Sequence, residues 1–186
     1  MNMMPSDYFE IKKSDLTFES ILNEGTLSQE RATELKRFKM LILPVKKYYN
    51  EKGYFFYSAS RDFYWFCKKE NPDDCLDFCV EKSNFKELSL NCNEIYLGTF
   101  IILQVALPIF CNLISNFIYD KLNEKDDKIA INIIINNNIT QQSHEISFKG
   151  TKTEFDEKVI KTLHTYSKNG AIILHEQKGT KIDVLS

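Results

Sequence analysis

One uncharged segment divides the pattern of polar and apolar positions along the chain. From Ile95 to Tyr119, twenty-five residues carry no charged side chain. An α-helix of about 20 apolar residues spans the roughly 30 Å hydrocarbon core of a bilayer. Tyr96 and Tyr119 lie near the two ends, where aromatic side chains favour a membrane interface. The segment therefore predicts a long hydrophobic helix over residues 95–122, kinked at Pro108.

Polar side chains recur inside this segment at spacings of three or four, which places them on one face of a helix. They are the candidate interaction residues Gln104, Pro108, Asn112, Ser115, Asn116 and Tyr119. Two interpretations stay open. In a bilayer the polar face would meet partner helices, because unpaired amides in hydrocarbon are costly. In a soluble protein the same helix would pack against its own chain, with the protein in the cytoplasm.

The regions on either side predict the fold class. Residues 1–94 read as mainly helical, with apolar side chains at helical intervals from Leu35 to Tyr48 and a helix start at Asn71-Pro72. Residues 128–186 predict a small domain: the strands KIAINIIIN and HEISFKG, a helix opened by a capping box at Thr151, and two further short strands. We therefore expect an α+β protein with a mainly helical N-terminal region, a long hydrophobic helix and a small C-terminal β-β-α-β domain.

Composition excludes two classes of protein. Hydrophobic residues make up 43% of the 186, which is enough to bury a core and excludes a disordered chain. Basic residues number 24 against 26 acidic, for a net charge of −2. A binder of duplex nucleic acid has a basic excess, so this class is disfavoured.

The odd count of five cysteines, with no secretory signal pattern in the opening residues, indicates free thiols in a reducing compartment.

No constellation of residues predicts a metal, a cofactor or a catalytic group. Cys67, Cys75, Cys79 and Cys92 lack the paired CxxC spacing of a structural zinc site, and buried free thiols explain them better. The histidines at 144, 164 and 175 carry no local nucleophile signature. No glycine-rich loop followed by Lys-Ser or Lys-Thr occurs, which disfavours a nucleotide hydrolase.

An enzyme with a non-local site is a remaining alternative. Metal-dependent nucleases combine an acidic residue with a Glu-x-Lys element on neighbouring strands. Glu10 and Lys12 match the second element, and Asp73 would have to supply the acid. Asp73 comes too late, well after Glu10 and Lys12, and stands at an expected helix start. An exposed strand edge therefore explains Glu10 and Lys12 better.

The run from Tyr54 to Phe66 is dense in aromatic side chains. Such runs form stacking platforms for single-stranded nucleic acid when basic residues interleave with them. Here Arg61, Lys68 and Lys69 are the nearby cations. Core packing or a protein-binding surface is therefore the favoured interpretation.

The second half of the chain has a recognisable layout. A hydrophobic segment (LGTF…LPIFCNLISNFIYDKL) leads through a charged hinge (NEKDDK) into HEISFKGTKTEFDEKVI. This layout resembles small accessory proteins encoded beside effectors in bacterial conflict and anti-phage defence gene clusters. The resemblance implies an accessory or regulatory role, with an effector encoded nearby as the partner and no catalytic residues.

Two functions from different classes follow. The first is a non-enzymatic accessory protein, anchored to a membrane or to a partner through residues 96–122, with its C-terminal domain in the cytoplasm. The alternative is a membrane-disrupting effector that oligomerises through the same helix, its polar face lining the interior.

Overall fold

The computed structural model describes residues 7–45, 53–71, 75–90, 92–122 and 127–169, together with the backbone of 173–175 and 182–184. A mixed sheet of six strands forms its centre, in the order β1-β8-β7-β6-β2-β4. These strands are β1 (Tyr8–Ser14), β2 (Met40–Leu43), β4 (Leu76–Phe78), β6 (Glu94–Leu103), β7 (Lys128–Asn136) and β8 (Ser143–Thr151). β6 runs parallel to β7 and β2 parallel to β4, while the other neighbours are antiparallel.

The uncharged segment is not one long helix, so this part of the predicted fold is wrong. Its first part is β6, and helix α4 (Leu107–Lys121) follows a 3-10 turn at Gln104–Ala106. β6 lies between β2 and β7, and its apolar side chains are buried on both faces of the sheet: Phe100 and Ile102 on one, Ile101 on the other. A strand buried on both faces is a continuous apolar run, which periodicity cannot distinguish from a buried helix.

Pro108 begins a helix here and does not kink one. It stands in the first turn of α4, where a missing N–H costs no intrahelical bond. The remaining fifteen-residue helix buries seven apolar side chains within its own chain. The transmembrane prediction is therefore wrong: within the described ranges, no helix combines the length and the apolar character needed to span a bilayer.

The N-terminal region is also less helical than predicted. Met40–Leu43 forms β2 inside the stretch read as a helix, and Leu76–Phe78 forms β4 just after the helix start expected at Asn71-Pro72. The described α-helices of this region are α1 (Phe18–Leu22), α2 (Gln29–Leu35) and α3 (Ser58–Glu70). Tertiary pairing decides the outcome, because β2 is buried between β6 and β4.

The aromatic run contains a strand and a helix. Tyr54–Tyr57 is strand β3, which pairs in parallel with β5 (Phe85–Leu88). Ser58–Glu70 is helix α3. A β-bulge in the neighbouring β6 occurs between Tyr96 and Gly98. Gly98 has φ +75°, a left-handed conformation that glycine adopts without strain, so the bulge depends on this residue.

Helices cover both faces of the main sheet. On one face α3 and α4 meet the strands around Phe63, whose ring contacts Phe100, Phe110 and Phe117 at centroid distances of 5.6, 6.2 and 5.2 Å. On the other face Phe18 and Ile21 of α1 and Leu35 of α2 belong to a second cluster. The fold is thus α+β, but sheet-centred.

The C-terminal strands and helix occur where the sequence predicts them, but β7 and β8 belong to the six-stranded sheet and not to a small β-β-α-β domain. The strand predicted at KIAINIIIN is β7, and β8 extends the predicted HEISFKG strand by one residue at each end. The capping box at Thr151 is confirmed, since Thr151 and Glu154 bond reciprocally to each other's backbone N–H. It opens helix α5 (Lys152–Glu154), which continues through a π-helical turn (Phe155–Ile160) into α6 (Lys161–Asn169). Strands β9 (Ile173–His175) and β10 (Ile182–Val184) pair with each other.

Burial of α4 in its own chain predicts a contrast between two adjacent side chains. Phe110 is fully buried, whereas Ile109 is 40% exposed. We expect Phe110→Ala to lower the free energy of unfolding by about 3–5 kcal/mol through the cavity it leaves. Ile109→Ala should cost well under half as much. Urea denaturation of both variants checks this, and equal losses would contradict the packing of α4 against the sheet.

Candidate functional site

A cleft of about 470 Å³ opens beside β4, at one edge of the main sheet. We call it the arginine cleft, and its lining is made of charged and aromatic side chains. These are Arg31, Glu34, Arg37, Phe38, Arg61, Tyr64, Trp65, Lys68, Asp77, Phe78, Val80, Lys82 and Phe85. Its volume falls in the range of sites that bind small molecules, about 300–1,000 Å³.

The composition of this lining is unusual for this chain. The sequence contains three arginines, at positions 31, 37 and 61, and one tryptophan, at position 65. All four line the arginine cleft. Helix α2 and the turn after it supply the first two arginines, and α3 supplies Arg61 and Trp65. The fold therefore gathers residues from separate elements into one site.

Arg31 forms the inner wall of the cleft. Its side chain is 5% exposed, and its Nε donates to the Val80 carbonyl at 2.9 Å. One terminal nitrogen donates to Glu34 at 2.8 Å, and the other donates to Asp77 at 3.1 Å and to the Phe78 carbonyl at 2.9 Å. Burying a guanidinium is costly unless its donors are satisfied, and here both carboxylates and carbonyls satisfy them. These bonds tie α2 to the outer edge of β4.

Glu34 holds two further cations at the mouth of the cleft. Lys82 Nζ lies 3.0 Å and the Arg37 guanidinium 3.8 Å from the same carboxylate oxygen, Oε1. Hydrogen bonds from Arg31 and Lys82 lower the pKa of Glu34 from 4.5 to about 2. The carboxylate therefore stays ionised and keeps the two cations side by side.

One face of α3 forms the opposite wall. Arg61, Trp65 and Lys68 follow one another at helical spacing and project toward the cleft. Lys68 Nζ lies 5.5 Å from the ring centres of both Phe38 and Tyr64, within the range of cation–π attraction. Trp65 is 63% exposed although it contacts the Tyr64 ring edge-on at 5.2 Å.

The cleft has an excess of positive charge in a chain that is negative overall. Among the described residues of the lining, five are cations and two are carboxylates, against a net charge of −2 for the whole sequence. Arg61 also pairs with Asp62 and Glu87 outside the lining. Arg37 and Lys82 are 60% and 73% exposed, so they stand at the solvent side of the cleft.

The lining offers groups that bind anions and planar rings. Guanidinium and ammonium groups bind carboxylates and phosphates, and aromatic rings stack on planar groups. Among the described lining residues there is no cysteine, histidine or serine that could act as a nucleophile or as a base near neutral pH.

The interaction residues predicted from sequence lie elsewhere. Gln104 is in the 3-10 turn before α4, so it does not share the helix with the others. The remaining five lie on α4: Pro108, Asn112, Asn116 and Tyr119 are exposed and Ser115 is partly buried. Tyr119 is engaged with its own chain, donating to Asp156 at 3.1 Å beneath Lys152, whose Nζ lies 4.0 Å from the ring centre. Their role in binding a partner stays a prediction.

Residues considered for enzyme chemistry are dispersed. Glu10 and Lys12 lie on β1, where Lys12 pairs with Glu145 at 3.6 Å, and Asp73 falls outside the described residues. In the ranges that are described, no three His, Cys, Asp or Glu side chains are grouped so as to hold a metal ion. Burial raises the pKa of Cys67, and that of Cys79 to about 11, so both thiols stay protonated.

His144 is a buried titratable group in an unusual environment. Its side chain is 4% exposed, and neither ring nitrogen has a hydrogen-bond partner among the described residues. Burial, followed by the nearby charge of Lys13, lowers its pKa. Its ring packs near Tyr166 of α6. A neutral packing role is consistent with this position.

Sequence reasoning did not predict the cleft. It considered the aromatic run with Arg61 and Lys68 but assigned no role to Arg31, Arg37 and Lys82. One signal was present: all three arginines and the tryptophan fall within 35 consecutive residues, from 31 to 65. Comparison with protein-family models, curated proteins and solved structures finds no match to the chain, so its function is argued from this geometry.

The ion pairs of Glu34 predict a dependence of stability on acid. Because the folded-state pKa is about 2 against the ordinary 4.5, the contribution of Glu34 is fully present above pH 4.5. It is lost as the pH falls from 4.5 toward 2. We therefore expect Glu34→Gln to be less stable at neutral pH and to lose less stability on acidification over that range.

Denaturant unfolding at a series of pH values measures this effect. Glu30→Gln is the matched control, since Glu30 is an exposed residue of the same helix. If Glu34→Gln and the native protein lose stability in parallel between pH 4.5 and 2, Glu34 is not held in this network.

Proposed function

We propose that the protein is a non-enzymatic accessory protein that binds an anionic partner in the arginine cleft. The accessory role is the one inferred from the sequence, but the binding surface is now the arginine cleft instead of residues 96–122. Residues 96–122 are used internally, as a central strand and a packed helix. The observation that carries the proposal is the gathering of all three arginines around one exposed tryptophan.

Electrostatics favours an anion over a neutral ligand. Lys82 is 73% exposed and Arg37 60% exposed, so both can reach a ligand without rearrangement of the fold. Glu34 holds them close together, which reduces the entropy lost when they bind. Arg31 is already saturated by Glu34, Asp77 and two carbonyls, so it shapes the site while other cations contact the ligand.

The accessory role rests on the resemblance of the chain's layout to proteins of bacterial conflict systems. In such a role an effector would recognise either the bound anion itself or the protein with its cleft occupied. The lining supports this division of labour, because it supplies donors and aromatic surface for binding, and its described residues include no cysteine, histidine or serine.

Quenching of the single tryptophan tests the proposal on the intact chain. Trp65 is exposed at the cleft, so its fluorescence reports on this site alone. We expect iodide, an anion, to quench Trp65 more strongly than caesium, a cation, and the difference to shrink as salt is added. Inorganic tripolyphosphate should protect Trp65 from iodide.

Two variants locate the effect. Arg37→Gln combined with Lys82→Gln should reduce both the excess quenching by iodide and the protection by tripolyphosphate. Lys36→Gln is the control, since Lys36 is exposed beside Arg37 but does not line the cleft. Equal quenching by iodide and caesium, together with no protection by tripolyphosphate, would refute an anion site here.

A further inference from the structure

We propose that the anion bound in the arginine cleft is a nucleotide, with its base against Trp65 and its phosphate on Arg37, Lys68 and Lys82. This inference rests on the proposed function and specifies its ligand. Three observations point to it: the exposed indole, the placement of the cations, and the size of the cleft.

The first observation concerns the indole. Recognition of a partner by charge alone would require the cations, but it would not explain why a large aromatic side chain is exposed to solvent. Trp65 is nevertheless 63% exposed, on the same wall of α3 as Arg61 and Lys68. Base–aromatic stacking is worth roughly 1–3 kcal/mol per base, whichever base it is, and an indole offers the largest ring for it.

The second observation concerns the phosphate. Lys82 and Arg37 converge on Oε1 of Glu34, at 3.0 and 3.8 Å, from different segments of the chain. Two cations held this close together can both donate to one group that has several acceptor oxygens, and a phosphate is such a group. Arg37 adds the planar fork that suits phosphate geometry. Lys68 stands on the other wall, so the positive charge flanks the aromatic floor made by Phe38 and Tyr64.

The third observation concerns size. A cleft of about 470 Å³ accommodates a small ligand or one nucleotide of a single strand, and not a nucleic-acid duplex. An acidic peptide would also satisfy the cations, but its carboxylates would leave the indole without a planar partner. A nucleotide combines both required groups, a ring and a phosphate, in a single unit of this size.

A pair of probes with the same phosphate separates these ligands. Adenosine 5′-monophosphate and ribose 5-phosphate differ by the base, and oligoglutamate supplies carboxylates instead. With the full-length protein, titration calorimetry should give an affinity for adenosine 5′-monophosphate at least about tenfold above that for ribose 5-phosphate. This preference corresponds to one stacked base.

Variants of Trp65 assign the preference to the indole. Trp65→Leu should lower the affinity for adenosine 5′-monophosphate about tenfold and leave ribose 5-phosphate unchanged, whereas Trp65→Phe should retain most of the preference. Lys68→Gln should weaken both phosphate probes. Lys69→Gln is its control, since Lys69 is exposed and lies outside the lining.

The outcomes distinguish this inference from the proposed function. If ribose 5-phosphate or oligoglutamate binds as tightly as adenosine 5′-monophosphate, the nucleotide inference is overturned while an anion site remains. If no probe binds and tripolyphosphate does not either, both proposals fail. If single-stranded oligoadenylate binds more tightly than adenosine 5′-monophosphate, and if the salt dependence of its affinity is smaller for Arg37→Gln, the nucleotide belongs to a strand. If the two bind equally, the ligand is a free nucleotide.

Discussion

The buried guanidinium of Arg31 is the interaction on which the site depends. It donates to the carbonyls of Phe78, at the end of β4, and of Val80, and also to two carboxylates. These bonds fix α2 against an edge of the sheet. A charge so buried is tolerable because its donors are paired, and it makes the local arrangement specific, since few other geometries could satisfy them. Without this anchor, Glu34 would not hold Lys82 and Arg37 at the mouth of the cleft.

The same interaction explains how a sheet edge becomes a binding wall. β4 is three residues long, and among the described strands it pairs with β2 alone. Exposed edges invite pairing with other chains, and short, charged edges oppose it. Here Arg31 occupies the Phe78 carbonyl, and the Phe78 N–H donates to Asp77 at 2.8 Å. Edge protection and ligand recognition thus use one group of charged residues.

The sequence predicted those elements whose signals are local. β7 and the capping box at Thr151 follow from a β-rich apolar run and from a four-residue hydrogen-bonding pattern. The uncharged segment was assigned to the wrong element because a doubly buried strand followed by a packed helix has the composition of one apolar helix. The cleft joins Arg31, Lys68 and Lys82 through tertiary packing, which spacing along the chain does not encode. Of its aromatic side chains, α3 carries Tyr64 and Trp65 in one run, whereas Phe38, Phe78 and Phe85 come from other segments of the chain.

Hydrogen exchange at the three arginine side chains tests the central claim most directly. With nitrogen-15 in arginine alone, the full-length protein gives one Nε–H signal per arginine, and the exposed Arg37 and Arg61 are assigned by substitution with lysine. Arg31 donates its Nε–H to a buried carbonyl, whereas Arg37 and Arg61 are 60% and 43% exposed. The account predicts one signal that exchanges slowly with water and two that exchange fast. Three signals that exchange equally fast would contradict it.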